Sequence, residues 1–252
     1  MIKRTVRYVL KKNGYQLKKI DSQKIYPTGA SQQEIDTLKL VQDFTMNPPL
    51  RTFSLIKIVK HIIERNIPGD FIECGVWRGG SSMAIAKTLF DLGVKDRKIF
   101  LYDTFEGMTQ AGRLDFDIDT GEHYNEILNK IDFNLDSHIW AYAPLSDVEK
   151  NMSKIKLASD QVIFVKGDVK DTLSRKLPIN IALLRLDTDF YESTKLELEI
   201  LYPLVSSGGA VLVDDYGAWA GSQIATDEYR RINNINSYLN IIDNESRLFF
   251  KP

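Results

Sequence analysis

The chain has 252 residues, a formal net charge of −1, 43% hydrophobic and 27% charged residues, enough for one large core. That balance gives no electrostatic case for a nucleic-acid partner, and no apolar run approaches the ~20 residues that span a bilayer. The single cysteine, Cys74, excludes an internal disulfide framework and fits a reducing compartment, so a cytoplasmic location is expected.

The start, MIKRTVRYVLKKNGYQLKKI, is basic and faintly amphipathic, without the apolar centre or small-residue cleavage site of a signal peptide. It reads as a solvated first helix, with peripheral contact to an anionic membrane or polyanionic carrier as the alternative. Residues 32–65 have helical spacing, broken at NPPL and ended by Pro68-Gly69. Residues 1–68 are therefore expected to be a helical extension, ahead of an α/β domain over 69–252. Five short strand-like runs follow, beginning at Asp70, Lys98, Gln161, Ile181 and Ala210, separated by helical stretches such as SSMAIAKTLFDLG and STKLELEILYPLV. Alternation of this kind signals βαβ units and a parallel sheet, and continuous apolar strands fit burial on both faces. An acidic insertion over about 108–145 reads as a mobile lid or helical excursion. After a helix around SQIATDEYRRIN, the runs YLNIID and RLFFKP read as an antiparallel edge pair.

In such a sheet, ligands bind beyond the carboxyl ends of the strands. Acids end nearly every strand: Glu73, Asp103, Asp168, Asp187 with Asp189, and Asp214 with Asp215. In FIECGVWRGGSS the glycines Gly75, Gly79 and Gly80 allow close backbone approach, but the spacing is neither GxGxxG nor a P-loop. Glu73 ahead of that turn suits an ammonium group, and Asp103 ending the next strand suits a ribose diol. A nucleoside cofactor without phosphates is implied, which S-adenosylmethionine satisfies. Asp187, Asp214 and Asp215 converge from neighbouring strand ends, and three crowded carboxylates with no adjacent His or Cys favour Mg²⁺. His61, His123 and His138 match no zinc spacing. Helix capping is the competing reading for each single acid, Asp189 included.

FIECGVWRGGSSM, LYDTFEGM, LLRLDTDFYEST, GGAVLVDDYG and TDEYR together resemble the macrocin O-methyltransferase family, from about Thr45 to the C-terminus. The family's members methylate sugar hydroxyls, for instance on macrolides and on the noviose of novobiocin. The resemblance implies a class I S-adenosylmethionine-dependent methyltransferase fold, with a mostly parallel seven-stranded sheet, an antiparallel edge strand and helical lids. It implies Mg²⁺ held by Asp187, Asp214 and Asp215, and cofactor contacts from Met46, Glu73, Gly75, Ser81, Asp103, Thr104, Asp168 and Asp187. Thr45-Met46 and Pro144-Leu145 correspond to lid segments. Asp187, where cofactor and metal meet, is expected to be base and ligand together, with Asp189 as the alternative base.

Two other readings stay open: a catechol-type methyltransferase acting on a flat aromatic diol, and a non-catalytic nucleoside-binding module whose acids are caps and turns. Tyr124, Trp140, Tyr142, Tyr216 and Trp219 are candidates to stack on a sugar, or ordinary packing residues. A homodimer is the expected assembly.

Overall fold

The computed structural model describes residues 26–130, 140–158, 160–175 and 177–252. The basic N-terminal segment, with the surface contact considered for it, and the end of the acidic insertion with His138 lie outside the described residues. No helix among the described residues is long and apolar enough to cross a membrane.

Among the described residues two α-helices precede the sheet, α1 (Gln32–Val41) and α2 (Pro49–Glu64). A capping box starts α1: Ser31 Oγ accepts from the Glu34 amide, and the Glu34 carboxylate accepts from the Ser31 amide at 2.8 Å. Pro49 occupies the first turn of α2, where its missing N–H is no loss. Glu34 then ties the two helices together, meeting Lys60 Nζ at 2.7 Å and Lys57 Nζ at 3.3 Å. Burial alone would raise the Glu34 pKa, but Lys60, Ser31 and Lys57 outweigh it and hold the carboxyl at about 2. A folded-state pKa below the unfolded value of 4.5 stabilises above pH 4.5, and the gain fades as pH falls through about 2. The variant E34Q is expected to melt several degrees below the wild type at pH 7, with the gap closing between pH 4.5 and pH 2. A gap independent of pH in thermal denaturation would contradict the tether.

Strands β1 (Asp70–Cys74), β2 (Ile99–Asp103), β3 (Val162–Lys166), β4 (Ile181–Leu186) and β5 (Val205–Val213) pair in parallel. Two short strands, β6 (Asn240–Ile241) and β7 (Arg247–Phe250), add an antiparallel edge, and the sheet order is β3-β2-β1-β4-β5-β7-β6. The expected seven-stranded sheet is present. Its strands are covered on both faces, as their continuous apolar runs require. Phe71, Leu101, Leu183 and Leu212 pack toward α1, α2 and α3 (Gly80–Asp91). Ile72, Tyr102, Leu184 and Val211 pack on the opposite face with Leu198 and Leu201 of α7 (Tyr191–Leu201). Leu38 and Val41 of α1 and Leu55, Ile56, Val59 and Ile62 of α2 share the first of these two cores.

The described part of the insertion is docked against the sheet edge instead of standing free. It carries one short helix, α4 (Tyr124–Leu128), and β-bridges join Phe116 to His123 and Asp117 to Trp219. The Ile118 amide donates to Ala218 O, and the Ala220 amide donates to Phe116 O, both at 2.9 Å. Backbone that would otherwise be stranded over the crevice is satisfied in this way.

Strand order reverses between β1 and β4, and the carboxyl ends there are closely aligned. The Gly75 amide bonds Tyr102 O, the Asp187 amide bonds Cys74 O, and the Asp214 amide bonds Leu186 O, each at 2.9 Å. Residues immediately after the strands thus form one continuous edge, where a doubly wound sheet binds its ligands.

Candidate active site

A cavity of about 350 Å³ opens along this edge. All ten residues singled out as cofactor or metal contacts line it: Met46, Glu73, Gly75, Ser81, Asp103, Thr104, Asp168, Asp187, Asp214 and Asp215. Their local roles differ. Gly75 has φ +81°, and a Cβ there would lie 1.9 Å from Asp187 O, so any side chain would prise β1 from β4. Asp103 Oδ2 accepts from the amides of Val76 at 2.6 Å and Trp77 at 3.1 Å, and Oδ1 accepts from Phe105 at 2.6 Å. Burial raises the Asp103 pKa and these amides pull it back, so the carboxylate clamps the glycine turn to the end of β2. Thr104 donates to Gly107 O at 2.7 Å, closing the following turn.

Asp168 caps α6 (Val169–Thr172), accepting from the Lys170 amide at 2.9 Å. Ser81, buried in the first turn of α3, accepts from Asn47 Nδ2 at 3.2 Å, linking Met46 and its neighbours to the glycine loop. Pro144 occupies the cap position of α5 (Leu145–Met152), whose Val148 packs on Gly79. That lid segment supports the glycine turn from behind. Arg78 donates to Asp43 O at 2.8 Å, satisfying the end of the short 3₁₀ turn before Thr45.

Asp187, Asp214 and Asp215 come together: each offers a carboxylate oxygen, and these oxygens all lie within 4.8 Å of one another. The residue that organises them escaped the sequence reading. Arg185, next to the last residue of β4 and 2% exposed, places Nη1 2.5 Å from Glu73 Oε1 and 2.7 Å from Asp187 Oδ2. Its Nη2 lies 2.9 Å from Asp214 Oδ1, but off the hydrogen-bonding direction, so that oxygen is buried without a hydrogen-bond partner. Arg51 of α2 takes the other Asp214 oxygen at 2.7 Å and reaches Asp243 and Glu245 beyond it. Glu73 is therefore a buried counter-ion of Arg185 that also accepts from Ser82 while lining the cavity.

Electrostatics follow from this packing. Burial works against the charge on Arg185, but Asp187, Asp214 and Glu73 outweigh it and hold the guanidinium above its ordinary value. Burial pushes Glu73 up to about 7, with Arg185 and Ser82 opposing, and pushes Asp187 up to about 6. Asp189 and Asp215 rise well above the carboxylate range, through burial first and then repulsion from neighbouring aspartates. Asp189 is not the cap of α7, a position held by Phe190. It stands on the cavity wall with φ +62°, hydrogen-bonded to Asp215 and Trp219. The crowding that raises these acids, with the unpartnered Asp214 Oδ1, is what a hard divalent cation would relieve.

Of the aromatic candidates, Tyr124 and Trp219 line the cavity, stacked edge-on at 5.5 Å. Tyr216 instead bonds Asp227 and lies under Arg247, and Tyr142 is half exposed away from the wall.

Comparisons with known proteins agree with this architecture. The 8-demethyl-8-(2,3-dimethoxy-α-L-rhamnosyl)-tetracenomycin-C 4′-O-methyltransferase of Streptomyces olivaceus is 36% identical over 73% of this chain and 67% of its own. Demethyldecarbamoylnovobiocin O-methyltransferase from Streptomyces niveus is 34% identical over 77% of this chain and 71% of its own. The solved structure of the O-methyltransferase NovP superposes with a TM-score of 0.71, at 33% identity, covering 82% of both chains. The model of the macrocin-O-methyltransferase (TylF) family matches residues 5–251, so the likeness begins well before Thr45, where the short motifs start. Such homology removes the non-catalytic nucleoside-binding module from consideration. The chain belongs to the macrocin-O-methyltransferase family and is an S-adenosylmethionine-dependent O-methyltransferase.

Proposed function

We propose that the protein transfers the methyl group of S-adenosylmethionine to a hydroxyl of a sugar carried on a small glycosylated molecule, with a divalent cation, Mg²⁺, held by Asp187, Asp214 and Asp215. The observation that carries this reading is the convergence of those three carboxylates, with Asp214 Oδ1 unpartnered, in the same cavity as the glycine turn. The sugar acceptor is supported by the relatives, named as methyltransferases of a rhamnosyl-tetracenomycin, of demethyldecarbamoylnovobiocin and of mycinamicin III.

A sugar hydroxyl is a poor nucleophile because its proton is tightly held. When bound, the cation supplies Lewis-acid polarisation of an acceptor oxygen. The chain's own residues do the remainder. The Gly75 turn, clamped by Asp103, presents backbone to the methionine end of the donor, and Ser81 and Met46 border the same side. Trp219 and Tyr124 offer flat apolar walls to the face of a pyranose ring. Glu73, Arg185 and Arg51 hold the acid trio in place without touching the reactants.

For the base, the geometry favours Asp189 over Asp187. Asp187 Oδ2 is engaged by Arg185 at 2.7 Å, whereas Asp189 has no ion pair among the described residues and stands on the cavity wall beside Asp215. Asp187 is then ligand and wall, and Asp189 takes the acceptor proton as the sulfonium methyl is attacked in line.

The experiment that tests the function is transfer of labelled methyl from S-adenosylmethionine to a panel of rhamnosides, noviosides and catechols, with chelator and with Mg²⁺ restored. Methylation of a glycoside that chelation abolishes and Mg²⁺ restores is expected. Transfer to catechols alone would favour a flat aromatic acceptor, and transfer unaffected by chelation would remove the cation from the account.

A further inference from the structure

The N-terminal turns of α7 and α8 (Ala220–Ile232) carry the parts of the site nearest the acceptor. Asp189 lies two residues before α7, and the loop from Asp215 to Trp219 leads directly into α8. Neither helix is capped by its own sequence: Phe190 and Trp219 hold the cap positions and make no side-chain cap hydrogen bond. Amides in a first turn have no partner within the helix and need one from elsewhere. Asp189 adds a second demand, since φ +62° is a conformation that a non-glycine residue keeps only when its surroundings fix it.

The missing partner comes from the insertion, 76 residues upstream. Asp115 is fully buried, and its Oδ1 accepts from the Tyr191 amide, the first of α7, at 2.8 Å. Its Oδ2 accepts from the Gly112 amide at 2.6 Å, which fixes the carboxylate's orientation. On the α8 side, Gly221 makes room for it: a Cβ there would lie 1.9 Å from Asp115 Oδ1 and 2.7 Å from the Tyr191 amide. The neighbours of Asp115 seal the contact. Phe116 O accepts the Ala220 amide at 2.9 Å, and Asp115 O accepts the Tyr124 amide at 3.0 Å. Tyr124 then packs edge-on against Phe190 at 4.8 Å and against Trp219 at 5.5 Å.

We infer that Asp115 is a positioning residue: a carboxylate borrowed from the insertion that caps α7, wedges against α8, and so sets Asp189 and the Asp215–Trp219 loop relative to each other. The inference rests on the methyl-transfer reading for what those residues then do. The stretch of the insertion around Asp115 is on this account a brace. An anion is the fitting group, because a helix N-terminus presents partial positive charge and unpaired N–H donors. Asp115 itself is not among the residues that line the cavity.

The test uses the full-length enzyme with three variants: D115A, D115N, and G221A, which crowds the carboxylate out without altering it. Three quantities are read: amide exchange at Tyr191, affinity for S-adenosylhomocysteine, and the kcat against KM split for the acceptor. In D115A and G221A, exchange at Tyr191 is expected to accelerate and kcat to fall by up to about 100-fold, as misplaced catalytic groups produce. S-adenosylhomocysteine affinity is expected to stay within about twofold, and D115N, which keeps one acceptor oxygen, to recover part of kcat. Faster exchange at Tyr191 with unchanged kcat would overturn the positioning role, and unchanged exchange would overturn the cap itself. A wild type that methylates no sugar would overturn the function reading and the positioning with it, while the exchange result still decides the cap.

Discussion

The variant D189N is expected to lose about 10²–10⁴-fold in kcat while keeping its affinities for S-adenosylhomocysteine and for Mn²⁺ within a few-fold of wild type. The amide retains the size and the hydrogen bond to Trp219 but cannot accept the acceptor's proton. The companion variant D187N is expected to behave differently. It removes one of three carboxylates whose oxygens lie within 4.8 Å and unbalances Arg185, so Mn²⁺ affinity measured by titration falls along with turnover. If D189N turns over normally and D187N binds Mn²⁺ as wild type does, the division of roles between the two aspartates is wrong. A pattern in which D189N alone loses the cation would place Asp189 among its ligands.

The second large effect concerns a residue that touches no reactant. Replacing Arg185 with Met is expected to destabilise the protein by roughly 3–5 kcal/mol, because Glu73, Asp187 and Asp214 are then buried together without their shared counter-charge. At this chain length that is a fall of about 6–20 °C in Tm. R185K keeps the charge but not the planar fork that serves Glu73, Asp187 and Asp214, and should recover only part of the loss. Adding Mg²⁺ is expected to raise the Tm of R185M more than that of wild type, since the cation replaces part of the missing positive charge. Thermal denaturation within a couple of degrees of wild type would show that the acids do not depend on Arg185.

What could be read from the sequence follows a physical divide. Runs such as KIFLYD and QVIFVKGD declare buried strands ended by acids, so the sheet, its edge and the residues along it were legible. Alignment of the strand ends then brings Gly75, Asp103, Asp187 and Asp214 to one cavity without further information. Arg185 was not legible as a site residue, because a lone cation inside LLRLD reads as an interruption of an apolar strand. Its signal was present in the period of two: Arg185 and Asp187 share a face, and Glu73 of FIECG is the cross-strand neighbour of Arg185. Asp115 left a weaker trace. In GRLDFDIDTGEH it is one of several acids that a local reading assigns to solvent, and its partner amide lies 76 residues away. Glu73 lines the cavity as its place at the end of FIECG suggests, but its bond to Arg185 was not legible locally. Register and burial, which decide such pairings, are properties of the assembled sheet.

The most direct measurement is anomalous diffraction from crystals of the protein grown with S-adenosylhomocysteine and Mn²⁺. One strong peak is expected at about 2.0–2.2 Å from oxygens of Asp187, Asp214 and Asp215, with open coordination facing the wall formed by Trp219 and Tyr124. No peak, with Asp187 and Asp214 still closed onto Arg185 and Arg51 beside a bound cofactor, would contradict a cation-assisted methyl transfer at this site.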